Sequence, residues 1–267
     1  MSTIPSTMRG VLCTAVGGPS VLSYQTDLPV PRPTAGQVLI HNTYAGINYI
    51  DTYFRSGVYP SPKPEILGRD GEGVIVALGQ GETYGLKVGQ RVVWMGSGGY
   101  AEYSAVPALH VATIPDGIPE TIAVAALLQG LTALTMITES HPTKPREWCL
   151  VHAAAGGVGL WLCQLLKALG ARVIGTASTA EKVEEATRAG AEHMINYSLP
   201  EADLVGRVLE ITGGEGVSAV FDGVGKDTFD DDLKVVKRKG TVVSFGNASG
   251  VVPPFAIRIV DLRLQVA

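Results

Sequence analysis

The feature that most constrains this chain is an alternation that begins at Cys149. Cys149-Leu150-Val151-His152-Ala153 is a short apolar run of the kind that fills a buried strand, and Gly157 to Leu169 has helical length and spacing. Arg172 to Thr176 then predicts a strand, Glu181 to Ala189 a helix closed by Gly190, His193 to Asn196 a strand, and Glu201 to Ile211 a helix. Ala219 to Asp222 predicts a further strand, Thr228 to Val236 a helix and Thr241 to Phe245 a strand. Neighbouring parallel strands need crossovers of helical length, and those helices cover both faces of the sheet. The expectation is an α/β fold with a doubly wound parallel sheet in the second half of the chain.

The first strand-to-helix join reads Ala154-Ala155-Gly156-Gly157-Val158-Gly159, a variant of G-x-G-x-x-G with Ala154 in the first place, Gly156 in the third and Gly159 in the sixth. Such a join needs no side chain where backbone must approach a pyrophosphate, and none where helix must pack on strand. The helix start then offers free N–H groups and positive dipole to phosphate. A tight turn without a ligand is the plain alternative. The strand before it and the helix after it are the context that supports the nucleotide reading of Gly156, Gly157, Val158 and Gly159.

The second strand bears on which dinucleotide. An NAD site places Asp or Glu about 20 residues past the motif to hold the ribose 2′-OH. Here the strand ends Gly175-Thr176-Ala177-Ser178-Thr179, without an acid, and Lys182 follows one turn into the next helix. A 2′-phosphate meets no repulsion there, Ser178 can donate to it, and Lys182 can supply charge. NADPH is favoured. Lys182 alone reads equally well as a solvated helix residue; the absent acid at Ala177 is the firmer ground.

Residues before about 120 have another texture. Val38-Leu39-Ile40, Gly73 to Leu78, Arg91 to Trp94 and Glu102 to Val106 predict strands between turns at Pro31-Arg32-Pro33, Gly57 and Gly96 to Gly99. Their spacing predicts a partly open β-barrel or small sandwich. Pro119-Glu120 can open a helix through Ile122, Ala125, Ala126 and Leu128, with a second helix over Leu131 to Glu139. Two domains follow, 1–120 and 121–267, as 267 residues also imply at roughly 150 per domain. Hydrophobic residues at 46% exclude a disordered chain. The net charge of −4 and pI of about 5.7 lack the basic stripe of a duplex-DNA binder. Cys13, Cys149 and Cys163 form no C-x-x-C and predict reduced thiols in an intracellular, cytoplasmic protein. The start, MSTIPSTMRG, has no apolar signal region, and the most apolar stretch, Ile122 to Ile137, is broken by Gln129 and Gly130 and reads as short of a membrane span.

Six stretches resemble a known family. They are Gly46-Ile47-Asn48-Tyr49-Ile50-Asp51-Thr52-Tyr53, Lys87-Val88-Gly89-Gln90-Arg91-Val92, Leu128-Gln129-Gly130-Leu131-Thr132-Ala133, Ala153 to Leu160, Phe221 to Phe229, and Val243 to Gly250. Together they are similar to the zinc-free quinone oxidoreductases, the ζ-crystallin group of the medium-chain dehydrogenase/reductase superfamily, and the last two look most like fungal members. The resemblance runs from about residue 8 to about residue 258. It implies a GroES-like β-domain followed by a Rossmann domain, a homodimer, and Thr132, Tyr197, Gly223, Val224, Phe245, Gly246 and Asn247 along the cofactor, with Asn48 beside it.

Zinc-dependent relatives place Cys where this chain has Asn48 and His where it has Arg69, and neither amide nor guanidinium is a usual zinc ligand. No metal is expected, and His41, His110, His141, His152 and His193 read as surface or packing residues. The carbonyl of a substrate must then be polarised by hydrogen-bond donors. Asn48 can donate to a developing oxyanion. Tyr53 and Tyr59 can offer phenols and flat walls to a planar ring, and Asp51 can orient them or relay a proton. Tyr49 reads as packing. The activity implied is hydride transfer from NADPH to a quinone; an NADPH-dependent alkenal or enone reductase, and a catalytically silent protein that binds NADPH or RNA, stay open. The acidic pI argues against strong RNA binding. After Pro253 to Arg258 the chain departs from the family pattern, reading Ile259 to Ala267, and the expectation is a truncated Rossmann domain whose sheet lacks its last strand.

Overall fold

The computed structural model describes residues 4–255 and 264–266. It forms two compact units, Met1–Leu128 and Gln129–Ala267, and their boundary falls inside one helix.

In the first unit, β1 (Thr7–Cys13), β2 (Leu22–Pro29) and β4 (Glu65–Ile66) form one sheet in the order β2-β1-β4. The strands β3 (Gln37–Ala45), β5 (Asp70–Leu78), β6 (Arg91–Met95), β7 (Tyr103–Pro107) and β8 (Val111–Thr113) form a second, in the order β7-β3-β5-β6-β8. Alternate residues of these strands, Val38 and Ile40, Ile75, Val92 and Trp94, and Val106, meet in one core, as a period of two requires. The antiparallel β3–β5 register pairs Ala45 with Gly71. It thereby sets the chain leaving β3, which turns at once into helix α1 (Tyr49–Ser56), beside the start of β5.

The second unit is a six-stranded parallel sheet of β9 (Trp148–Val151), β10 (Arg172–Ala177), β11 (His193–Asn196), β12 (Val217–Asp222), β13 (Val236–Ser244) and β14 (Leu264–Val266). The order is β11-β10-β9-β12-β13-β14, a doubly wound sheet that reverses between β9 and β12. Helices α3 (Gly157–Ala168), α4 (Ala180–Ala189), α5 (Leu204–Ile211) and α6 (Phe229–Val235) are the crossovers. Side-chain alternation splits the core in two. Cys149, Val151, Val173, Ala219 and Phe221 pack with Leu162 and Leu166 of α3. Leu150, Ile174, Val220 and Val242 pack with Val208, Phe229 and Val235.

Five expectations are corrected. Leu131 does not start a second helix: α2 (Ile122–Thr135) is continuous and ends in a π turn over Met136–Ser140. Gly130 lies within it, where an added Cβ would meet the Trp161 indole at 3.4 Å, an ordinary packing contact. This 19-residue segment is apolar and long enough to cross a membrane by length and composition, contrary to the sequence reading. Ala133, Met136 and Ile137 nevertheless belong to the core of the second unit. Helix α5 starts at Leu204 rather than Glu201, because Asp203 caps it through Gly206 N at 2.9 Å. Strand β13 starts at Val236, so it takes in Lys237-Arg238-Lys239, with Lys239 at φ 60°. The sheet edge beyond β13 also carries a strand: Leu264–Val266 pairs with Gly240, Thr241 and Val242. The departure read at Ile259 to Arg263 lies outside the described residues.

Candidate active site

In the first unit the local sequence builds a buried polar cluster. Asn48 is the N-cap of α1 and forms a capping box with Asp51; the Asn48 backbone N–H donates to Asp51 Oδ2 at 3.0 Å. The Asn48 amide Nδ2 donates to Asp70 Oδ1 at 2.8 Å, and the Tyr100 hydroxyl donates to Asp51 Oδ2 at 2.7 Å. Gly46 makes room for this cluster, since an added Cβ would fall 2.3 Å from Asp70 Oδ1. Burial lifts Asp70 to about 6, with the Asp51 charge adding to it and the Asn48 hydrogen bond opposing it. Burial also pushes Asp51 above the usual carboxylate range, against the hydrogen bonds from Tyr100 and Asn48 and the charge of Arg69. Burial and then Asp51 raise the Tyr100 phenol.

Tyr53 is buried on α1 and stands edge-on to Tyr59, with ring centres 5.1 Å apart, and to Tyr49 at 5.5 Å. Asn48 and Asp51 thus sit at the N-terminal end of α1, whereas Tyr53 packs with Tyr59 of the loop after its C-terminal end. Sequence reasoning missed Asp70 and Tyr100. The only signal was that Asp70 follows Gly68-Arg69; nothing local marks Tyr100. Arg69 sits over the Phe54 ring at 3.6 Å and donates to Glu65 and Ser97. Among the described residues, no group of three His, Cys, Asp or Glu side chains could hold a metal ion.

In the second unit the turn from β9 to α3 has the shape the motif predicts. Ala153 is left-handed at φ 47°, Gly156 N donates to Ala153 O at 2.8 Å, and Gly156 caps α3. The glycines differ in what they do. A Cβ at Gly159 would lie 2.4 Å from Ala153 O and 2.8 Å from the Ala154 backbone; one at Gly157 would lie 2.1 Å from the Gln129 side chain. One at Gly156 would meet only Ala153 O, at 3.1 Å. Val158 packs against the core beneath. Thr132 lies on α2 one turn beyond Gln129.

At the carboxyl ends of these strands a cleft of about 540 Å³ is lined by His152, Ala153, Thr176, Tyr197, Val224 and Thr228, among others. Tyr197 and Val224 are therefore brought together, with Ala248 and Ser249 beside them. Gly223, Phe245 and Gly246 form a close contact next to it: Cβ atoms added at the two glycines would meet the Phe245 ring at 2.9 Å and Gly223 O at 2.6 Å. Asn247 follows, half-buried. Ser178 and Lys182 lie at the β10–α4 turn, where the Lys182 backbone N–H donates to Thr179 Oγ1. The sequence reading also passed over His152, taken as packing. It is buried and bonded at both nitrogens, to Thr176 Oγ1 at 3.1 Å and Asp232 Oδ1 at 2.8 Å.

The family model described as alcohol dehydrogenase GroES-like domain matches residues 34–116, and the one described as zinc-binding dehydrogenase matches residues 157–264. A probable quinone oxidoreductase of Schizosaccharomyces pombe is 45% identical over 92% of this chain and 74% of its own length. The chain belongs to the quinone oxidoreductase family. A solved structure of this family, the Escherichia coli quinone oxidoreductase complexed with NADPH, superposes with a TM-score of 0.92 at 41% identity, over 97% of this chain and 80% of that one. A 2-haloacrylate reductase of Burkholderia sp. is 38% identical over 92% of this chain and 74% of its own length. The family's GroES-like and Rossmann parts thus correspond to the β-rich first unit and the doubly wound second unit.

Proposed function

We propose that this chain is an oxidoreductase that reduces a quinone with NADPH and uses no metal. The observation that carries the reading is the β9–α3 turn. Gly157 and Gly159 are closed by protein atoms while Gly156 is open, at a helix start and beside an acid-free end of β10. That donor set fits a dinucleotide with a 2′-phosphate. The turn from Gly156 to Gly159 would hold the pyrophosphate, Ser178 and Lys182 the 2′-phosphate, and Tyr197, Val224 and Asn247 the cleft side, with Thr132, Gly223, Phe245 and Gly246 shaping the remainder. When bound, NADPH supplies the hydride, and with one proton this takes the quinone to the hydroquinone.

The protein's own part is to bind, orient and exclude water. Asn48 is the residue we assign to the oxyanion, its amide oriented by Asp70 and by the start of α1. Tyr53 and Tyr59 are assigned as the flat walls. Asp51, hydrogen-bonded by Tyr100, is the group placed to hold a proton. The amide at Asn48 and the guanidinium at Arg69 are not zinc-binding chemistry. A cytoplasmic setting is consistent with three buried, unpaired thiols, of which Cys149 and Cys163 are raised to about 12 by burial. A homodimer is part of the same reading, and a sizing column in line with light scattering checks it. RNA binding is not.

The kinship with a 2-haloacrylate reductase keeps conjugate reduction as the second reading. One assay separates them: turnover of an o-quinone against a 2-alkenal with NADPH, before and after exhaustive chelation. Quinone turnover that survives chelation is expected. A preference for the alkenal, or activity lost on chelation and restored by zinc, overturns the proposal; NADPH binding with no turnover of either makes the chain a silent binder.

A further inference from the structure

We propose that Thr176 is a positioning residue for the cofactor: backed by His152 and Asp232, it fixes the strained start of the phosphate-binding turn. The inference rests on the reading that this cleft takes NADPH. Thr176 receives two successive backbone N–H groups. Ala153 N donates to its Oγ1 at 3.3 Å and Ala154 N to its carbonyl at 2.9 Å. Between those two bonds lies Ala153 at φ 47°, a conformation that disfavours a residue with a Cβ and must be held by its surroundings. The Ala153 carbonyl then receives Gly156 N and abuts Gly159, so the placement of Ala153 is passed directly to the helix start that faces a phosphate.

The hydroxyl is itself held. Oγ1 accepts from Ala153 N, and with the ring proton of a neutral His152 held on Nε2 by Asp232, the hydroxyl proton goes to His152 Nδ1 at 3.1 Å. The Asp232 carboxylate can only accept, and its Oδ1 lies 2.8 Å from Nε2, which therefore donates to it. His152 also anchors through its backbone to Phe221 O. Thr176, His152 and Asp232 are 2%, 3% and 0% exposed, and they come from β10, the end of β9 and α6. A strand residue wanted only for packing could be valine, the near-isostere without the hydroxyl. The buried hydroxyl with two partners is what packing does not explain.

The test uses the whole chain and NADPH titration by nicotinamide fluorescence. Thr176→Val is expected to raise the NADPH Kd about tenfold, and Thr176→Ser to stay within about twofold of the parent. A packing role predicts the reverse order, since serine loses the methyl and keeps the hydroxyl. Equal Kd values for the parent and both variants overturn the inference. If Thr176→Val melts too low to titrate, Thr176→Ala takes its place beside Thr176→Ser: a Kd raised in the alanine variant alone supports the hydroxyl, and Kd values unchanged or equally raised in both overturn the inference. A parent protein that does not bind NADPH at all overturns the functional reading itself, and the inference with it.

Discussion

Asn48 donates its side-chain amide to Asp70 Oδ1 across 2.8 Å, joining the cap of α1 to the first residue of β5. Asn48 is 5% exposed and Asp70 1%. The amide is therefore fixed twice, by a carboxylate on one side and by the capping box on the other. A group asked to meet developing charge costs no reorganisation when it is already held. The same burial that fixes Asn48 makes Asp70 reluctant to ionise.

Asp70 stands at about 6 in the folded chain against an ordinary 3.8. Between those values the native state keeps a proton that the unfolded state releases. The stability contributed is present below about 4, is lost as pH rises through 6, and is absent at 7. Asp70→Asn removes this titration and keeps an oxygen for the Asn48 amide. Its melting temperature relative to the parent should rise between pH 4.5 and pH 7.5 in calorimetry. Two parallel melting curves across that range would refute the assignment.

Tyr100→Phe addresses the second residue that sequence reasoning missed. The phenol donates to Asp51 Oδ2 at 2.7 Å and opposes the upward push of burial on that carboxyl. Without it Asp51 should rise further, and the alkaline limb of quinone kcat/KM, set by loss of the proton Asp51 holds, should move to higher pH. The lost bond to a buried carboxyl should also cost about 1.5–3 kcal/mol in urea unfolding. An alkaline limb that stays in place separates Asp51 from the reaction.

What could be read from sequence was local, and what could not was distant along the chain. The strands at Leu150, Ile174 and Val220 show in the apolar runs because a strand buried on both faces leaves no polar alternation. Gly159 shows because close strand–helix packing needs a residue without a side chain. Asp70 and Tyr100 carry no such mark: they lie 22 residues from Asn48 and 49 from Asp51, and only the sheet and its following turns bring them together. His152 and Asp232 are 80 residues apart and meet because β9 and β12 are neighbours with α6 following β12. Gln129 and Gly130 interrupt the apolar run, yet α2 carries through them, because one polar and one small residue do not end a helix whose flanks are helix-forming.

The choice of dinucleotide should be reversible at the end of β10. Ala177 is 3% exposed, so an acid there would be buried rather than presented to a ribose. Ser178, the half-buried residue just beyond the strand, is the better place. The parent is expected to bind NADPH at least about tenfold more tightly than NADH. Ser178→Asp with Lys182→Ala should bring that ratio below about one, through repulsion of the 2′-phosphate and a new acceptor for the 2′-OH. A ratio in the double variant equal to the parent's would place the 2′-phosphate elsewhere.

The three glycines of the β9–α3 turn should separate folding from binding. Alanine at Gly159 would drive a Cβ to 2.4 Å from Ala153 O and 2.8 Å from Ala154 backbone, and backbone cannot step aside without moving the strand or the helix. Gly159→Ala should cost about 1–3 kcal/mol and lower the melting temperature most. At Gly157 the nearest atoms, at 2.1–2.8 Å, are the far end of the Gln129 side chain, which can turn away. Its cost should be smaller and should shrink further in a Gln129→Ala background. Alanine at Gly156 meets only Ala153 O, at 3.1 Å, so Ala153 must shift by a few tenths of an ångström and that variant should lose less melting temperature than Gly159→Ala, while its new methyl occupies the side proposed to face phosphate. Its NADPH Kd should rise by about tenfold or more. Melting temperatures and NADPH titrations of the three single variants test this order, and a Gly156→Ala protein that binds NADPH as tightly as the parent would mean that phosphate does not approach this turn.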